Sequence, residues 1–470
     1  MNKSDLLQQV RGSMTVYEKL TEDNLKKIGE KGLTCERVKA IFKAAGLDYD
    51  NIVVDPTRFI YNAYYADYEN GIYFDLHLDE QSLTHPQVGV LALALQHRRK
   101  DDFLKQGDWI GFYHRAGPGP LRIYDFQRRY KDISEDRVYE VWEFIHRNID
   151  YENGQWNDEV LNYVFDRAPR PKELPLNENG TVTVYRGSGS RSQSPERALS
   201  WSTNQRNALW FANHNGFGQA LFIGEVAPEN VVNYVPGFHH ENEVIVRRGS
   251  VRNLRKADMI PIEQETITKL LVPIIPELLN YGKHVADLGY PSEGIFQVHG
   301  RGHILRVLAL SLIFYYHSGR NLGERDKNIL IYFSLLHDIG RLDDGEDPGH
   351  GKRSVEMIER NPSLADFIKL NKIDREIAHM IIRYHSRSDE EGEEAIIRFG
   401  KKKKPSARDI VRLADLYKIC KDMDGLDRVR FNGLDIDLLR SEYARKLPLV
   451  AGRLLHEKIE AFVLETPKVK

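Results

Sequence analysis

Near residue 260 this chain changes its apolar period, and no single-layer fold accommodates both halves. Before that point, "TVTVYRG", "ALSWST", "QALFIGEVA", "NVVNYV" and "NEVIVRRG" are short alternating or β-branched runs bounded by Gly, Pro and Asn. From Pro261 onward the pattern is helical almost throughout, with long apolar-periodic segments at 304–316 and 328–337. The boundary falls near 252–263. Upstream of the β-rich run, "SEDRVYEVWEFIHRNI" and "WNDEVLNYVFDRA" read as two helices, the first with Ser134 as its N-cap, and "PRPKELPLNENG" closes them off. Residues 1–131 mix strand-like "NIVV" and "GIYFDLHL" with a helical "QVGVLALALQHRRKDDFL" and carry no motif. The expected class is therefore α+β and multidomain, with units over 1–131, 132–255 and 256–470. A chain of 470 residues exceeds one ordinary core, which agrees with that division.

Composition limits the partners. Lys+Arg 67 against Asp+Glu 69 gives a formal net charge of -2, so there is no strong nucleic-acid signal. The only cysteines, Cys35 and Cys420, lie far apart in sequence, which argues against a disulfide framework and for a cytoplasmic setting. The longest apolar stretch, 307–316, reaches about half of the ~20 residues that cross a bilayer, so no membrane association is expected.

The helical half carries the sharpest chemistry. His337-Asp338 ends an apolar helix, "NILIYFSLLHDIGR", so both side chains leave a buried helix terminus at one point. With 17 histidines, about one His-Asp pair arises by chance, and it is the setting that raises this one. Upstream, "HGRGHILRVLALS" offers His299 and His303. Downstream come "DPGHGKRSVEMI" with His350, "IIRYHS" with His385, and "KDMDGLDRVRF" with Asp422, Asp424 and Asp427. Taken singly, His379 and His385 also read as ordinary interior histidines, and "DMDGLD" as an acidic turn. As a set, imidazole and carboxylate ligands suit a divalent transition ion (Fe, Mn, Ni, Co or Zn), which polarises a phosphoryl oxygen and lowers the pKa of bound water.

Over about 298–431 these residues resemble the HD-domain superfamily of metal-dependent phosphohydrolases. The resemblance implies an all-α HD-type domain with His303, His337, Asp338 and Asp424 as ligands, Asp338 also being catalytic. It prefers His303 over His299 because His303 stands in the "H-x-x-R-V" helix start. His350 and His385 match the extra histidines of bimetallic members, so one or two ions are implied. Arg341, Lys352 and Arg428 stand close in sequence to these ligands and are expected to hold substrate phosphate.

In the β-rich run, Arg186 ends "VTVYRGS", Ser202 and Thr203 end "ALSWST", and Glu241 and Glu243 bracket Asn242 in "ENEVIV". Residues two apart on a strand face one side, so both glutamates can enter one cleft. Such a set suits cleavage of a glycosyl bond through an oxocarbenium-like transition state. Over about 133–248 these residues look like the R-S-E group of mono-ADP-ribosyltransferases: a β-rich domain with a helical lobe that takes NAD as substrate. The resemblance implies that Arg186, Ser202 and Thr203 position NAD, that Glu243 is catalytic and that Glu241 favours an arginine acceptor. Phe238 and His239 fall on the loop that reads the target. Asn204 departs from the third position of S-T-S.

The expected function is a bifunctional enzyme, an NAD-dependent mono-ADP-ribosyltransferase joined to a metal-dependent phosphohydrolase or phosphodiesterase. The two would act on a protein or nucleotide target, in sequence on the same one if the activities are linked. The alternative is a nucleotide phosphohydrolase whose β-rich domain is only a ligand-binding sensor.

Overall fold

The computed structural model describes residues 18–54, 63–67, 72–115, 119–149, 155–189, 192–214, 218–236, 242–288, 290, 299–431, 433–456, 459, 462 and 463. The fold is α+β, with sheets in the N-terminal half and helices after residue 263. A first antiparallel sheet runs β1 (Glu18–Lys19), β2 (Ile52–Val54), β3 (Ala63–Asp67), β4 (Ile72–Leu76) in that order. Tyr65 stacks on Phe74 at 5.1 Å and meets Phe42 of helix Cys35–Ala44 at 5.5 Å, which anchors that helix to the sheet. The helical pattern after residue 87 becomes two helices, Val90–Arg98 and Lys100–Lys105.

The helical lobe is built on α1 (Val138–Arg147) and α2 (Asp158–Phe165). The first of these starts a turn later than Ser134 suggests. The Ser134 carbonyl accepts the N–H groups of Arg137 and Val138 at 2.9 and 3.0 Å, so Ser134 opens a turn, and the helix cap is Arg137. Trp142 is fully buried and meets Phe165 edge-on at 5.0 Å. Its cluster also takes in Leu199, just before the strand Ser200–Ser202, and Val232 and Ile245 of the second sheet, which fixes the lobe against that sheet.

That sheet has six antiparallel strands: β5 (Val182–Gly189), β6 (Ser200–Ser202), β7 (Gly218–Val226), β8 (Val231–Val235), β9 (Glu243–Val246) and β10 (Arg252–Lys256), in the order β10-β7-β5-β6-β9-β8. Val182, Val184, Trp201, Val244 and Val246 form its apolar cluster. Between β6 and β7 the chain makes α3 (Gln205–His214), whose buried Ala208, Leu209 and Ala212 belong to the same apolar core as the C-terminal helices.

Those helices include α4 (Arg301–His317), α5 (Glu324–Leu336), α6 (His350–Arg360), α7 (Lys372–Tyr384), α8 (Asp389–Lys403), α9 (Ala407–Leu426) and α10 (Pro448–His456). In α4 every residue from Val307 to Phe314 is buried, and α5 is buried from Ile329 to Leu336. Helices apolar on all sides belong at the centre of a bundle. The few polar groups there are satisfied: Ser334 Oγ bonds Ser311 Oγ at 2.9 Å and the Leu330 carbonyl at 2.8 Å. Among the described residues, no helix is long and apolar enough to cross a membrane.

Candidate metal centre

Six side chains reach one point because each stands at a helix end. His303 is in the first turn of α4, and His337 caps α5 in helical geometry with Asp338 directly after it. His350 opens α6, His385 caps α7, and Asp424 is in the last turn of α9. Two glycines permit the approach. A Cβ on Gly340 would lie 2.3 Å from the Ser354 nitrogen, and one on Gly351 would lie 2.2 Å from the Ile382 carbonyl oxygen. A side chain at either position would push apart the segments that carry His337, His350 and His385.

Three overlapping groups have ligand atoms all within 4.8 Å of one another: His303, His337 and Asp338; His337, His385 and Asp424; and Asp338, His350 and His385. His303 Nε2 lies 3.3 Å from His337 Nε2, 3.6 Å from Asp338 Oδ2 and 3.4 Å from Asp424 Oδ1. On the other side, His350 Nε2 lies 2.8 Å from His385 Nε2 and 3.0 Å from Asp338 Oδ1. Asp338 thus turns Oδ2 to His303 and Oδ1 to His350, with His337 and His385 each 3.7 Å from Oδ1. All these side chains are nearly fully buried except Asp424, which is 32% exposed.

The donor set can be tested for fit to a metal. His337 Nδ1 faces the Phe333 and Ser334 carbonyls at 3.2 Å, His385 Nδ1 faces the Ile382 carbonyl at 2.7 Å, and His350 Nδ1 faces the Asp347 carbonyl. A ring nitrogen against a carbonyl oxygen carries the proton, so in each neutral ring Nε2 is a lone pair. The His350 and His385 lone pairs therefore point at each other across 2.8 Å. Two such lone pairs repel unless a cation or proton lies between or beside them, and with the Asp338 carboxylate adjacent this is a divalent-cation donor set. The residues fit.

The electrostatics agree. Burial, followed by the neighbouring His385 and His303, pushes the His337 imidazole down to about 4 despite Asp338 and Asp424, so it stays neutral at pH 7. Burial alone would raise the Asp338 carboxyl, but the surrounding imidazoles hold it well below the carboxylate range, and Asp424 is lowered in the same way. Burial and Arg430 disfavour charge on His303, yet bonds to Asp424 and Asp427 raise it overall.

Of the three expected phosphate-binding cations, Arg341 reaches the cluster, its Nε donating to Asp338 Oδ2 at 3.1 Å. Lys352 is exposed with its Nζ 3.7 Å from Glu356 on its own helix, and Arg428 is exposed. A cation that sequence reasoning missed, Arg430, is buried beside the site. It donates through Nη1 to Asp427 Oδ2 at 2.8 Å, and its Nε has no hydrogen-bond partner among the described residues. His299, the other candidate at the helix start, lies next to the cluster, its ring 5.8 Å from that of His303 and its Nδ1 3.1 Å from Asp344.

The β-rich residues also converge. Antiparallel register sets Tyr185 opposite Ser202 and Ser202 opposite Glu243, so Arg186, the serines and Glu243 occupy three adjacent strands. Arg186 Nη1 donates to the Ser200 carbonyl at 2.6 Å, and burial pushes this guanidinium down to about 10. The hydroxyl that meets Glu243 belongs to Ser200, which donates to Oε1 at 2.5 Å, while Ser202 Oγ accepts the Asn204 N–H at 3.0 Å. His146 of α1, stacked on Trp142 at 4.7 Å, places Nε2 3.7 Å from the same Oε1. Burial raises the Glu243 carboxyl, but the bonds from His146 and Ser200 outweigh it and hold the group low. The Thr203 N–H donates to the Asn242 carbonyl at 3.0 Å. Glu241, Phe238 and His239 lie outside the described residues.

Comparison with protein families matches residues 301–428 to the HD domain. The match takes in all six clustered residues. Searches of curated proteins and of solved structures give no match.

Proposed function

We propose that the HD domain at 301–428 makes this protein a metal-dependent phosphohydrolase, acting on a phosphate ester or phosphodiester. The observation that carries this reading is the inward convergence of four imidazole Nε2 atoms on Asp338, each ring oriented through its Nδ1. His303, His337, Asp338 and Asp424 would hold one divalent ion, and Asp338, His350 and His385 a second. Such an ion supplies Lewis acidity toward a phosphoryl oxygen and the attacking water. Arg341 and Arg430 bring positive charge to the same recess and would bind the substrate's phosphate oxygens through charge-assisted bonds. Asp424, the member most open to solvent, lies where substrate enters. The test is elemental analysis of the purified protein together with hydrolysis of bis(p-nitrophenyl) phosphate. Turnover should need a divalent ion, vanish with chelator and return on re-addition. A preparation that hydrolyses equally well in excess chelator sinks the reading.

A second activity is favoured by the contact of Ser200 and His146 with Glu243 and by partly buried Arg186, two strands away and bonded to the Ser200 carbonyl. In this reading the β-rich segment is a mono-ADP-ribosyltransferase using NAD. Glu243 would stabilise positive charge developing on the ribose, Arg186, Ser202 and Thr203 would position NAD, and Glu241 would favour an arginine acceptor. ADP-ribose on a target contains a pyrophosphate, so the two chemistries would act in sequence on one protein or nucleotide. Consumption of NAD by wild type and its loss in Glu243→Gln would support the transferase. Equal consumption in both would favour the alternative, a phosphohydrolase whose β-rich segment is only a sensor.

A further inference from the structure

Three of the four clustered histidines are oriented by their own backbone. His337, His350 and His385 each present Nδ1 to a carbonyl three or four residues back in sequence. His303 is different. Its Nδ1 meets Asp427 Oδ2 at 2.8 Å, and that carboxylate comes from a segment 124 residues away. Asp427 is completely buried and is clamped by two arginines. Arg306 donates through Nε to Oδ1 at 2.5 Å and through Nη2 to Oδ2 at 2.9 Å, while Arg430 donates through Nη1 to Oδ2 at 2.8 Å. Arg306 follows His303 by three residues on the same helix, and Asp427 follows Asp424 by three, so one turn of chain on each side joins a metal ligand to its support.

A carbonyl is a neutral acceptor; a carboxylate carries charge and makes the stronger bond. An imidazole held at Nδ1 by a carboxylate is a more basic ligand at Nε2, and its ring is more firmly set. The paired arginines offset the cost of burying that carboxylate.

Resting on the metal-site reading above, we propose that Asp427 is a positioning residue that makes the two halves of the cluster unequal. The half containing His303, His337 and Asp424 binds a divalent ion more tightly than the half containing His350 and His385, and Asp338 serves both.

The test is equilibrium binding of Mn2+, with free ion read by electron paramagnetic resonance, on the full-length wild type, Asp427→Asn and His385→Gln. Wild type should show two classes of site. Asp427→Asn should weaken the tight class about ten- to a hundred-fold and leave the weak class in place. His385→Gln should remove the weak class and spare the tight one. A single class in wild type, or an Asp427→Asn variant that binds like wild type or loses both classes equally, overturns the proposal. Because Asp427→Asn leaves two buried arginines under-partnered, Arg306→Lys provides a milder version that keeps the charge but loses the bidentate clamp. It should weaken only the tight class, by less, and an unchanged tight class there overturns the proposal as well. If wild type binds no Mn2+ while a thermal melt reports a folded protein, the metal reading itself fails, which a selective loss in Asp427→Asn could never be mistaken for.

Discussion

Asp338 is shared by both halves of the cluster, because its two oxygens face different histidines. Replacing it with alanine should remove bound metal from both halves and reduce phosphodiester hydrolysis to background. Elemental analysis and the chelator-reversible assay check this together, and retention of one ion per chain would count against the shared role. His337 sets a pH dependence in the metal-free protein. Its folded value, about 4, lies below the ordinary histidine value of about 6.5. The unfolded chain therefore binds more protons between those two values, and the stability this group contributes is full above about 6.5 and lost as pH falls toward 4. The lowered Asp338, Asp424 and Asp427 carboxyls act in a lower window, below about 4. His303 is raised and acts with the opposite sign, its contribution fading as pH rises. The thermal midpoint of the chelated protein should accordingly fall from pH 6.5 to 4.5, and less steeply in His337→Gln. At this scale the six clustered residues were legible because each falls in a distinct motif at the edge of an apolar run. Asp427 and Arg430 were visible as letters but not as roles, since a spacing of three repeated through Asp424, Asp427 and Arg430 reads equally well as an acidic-basic turn. Ser200 was missed for a related reason: Ser200 and Ser202 share one side of a strand, and although the register sets Ser202 opposite Glu243, the hydroxyl that reaches the carboxylate is that of its diagonal neighbour Ser200, a choice of side-chain direction that pairing does not dictate.

At the scale of elements, the helix-end placement of the six clustered residues makes the proposed metal centre sensitive to how closely helices approach. Gly351 lets α6 lie against the last turn of α7. Gly351→Ala should force these two apart, destabilising the fold by roughly 1–3 kcal/mol and separating His350 from His385. The readouts are a lower thermal midpoint and a fall from two bound Mn2+ toward one, and unchanged stoichiometry would show that the bundle absorbs the methyl elsewhere. The apolar segments that became α4 and α5 were plain in the sequence. The start of α1 was not, because a serine followed by acidic residues opens a turn as readily as a helix. Strand pairing was also beyond the sequence, since β6 is three residues long and takes its place from neighbours on both sides.

The whole molecule is joined across the point where its pattern changes. Ala208, Leu209 and Ala212 of α3 and Leu221 of β7 share the apolar core of the C-terminal helices, Arg206 pairs with Asp435 at 2.7 Å, and the Ile260 N–H donates to the Lys446 carbonyl at 2.9 Å. A fragment of residues 256–470 would expose the surface that the two leucines cover. At about 1.5–3 kcal/mol for each large apolar side chain, it should melt well below the full chain and bind a hydrophobic dye. Equal midpoints for fragment and full chain would show that the two regions fold independently. The sequence marked a change of architecture here, but periodicity reports only which face of an element is apolar and not which partner covers it.

Asp424 differs from the other clustered residues in reaching solvent. An equilibrium constant does not depend on the path taken, but a rate does. On the proposed metal reading, this carboxylate, as the most exposed of the clustered residues, would be the one that an arriving ion meets first and a departing one touches last. A longer or shorter acid at that position would therefore alter how quickly the centre fills and drains, even where its resting occupancy stayed the same.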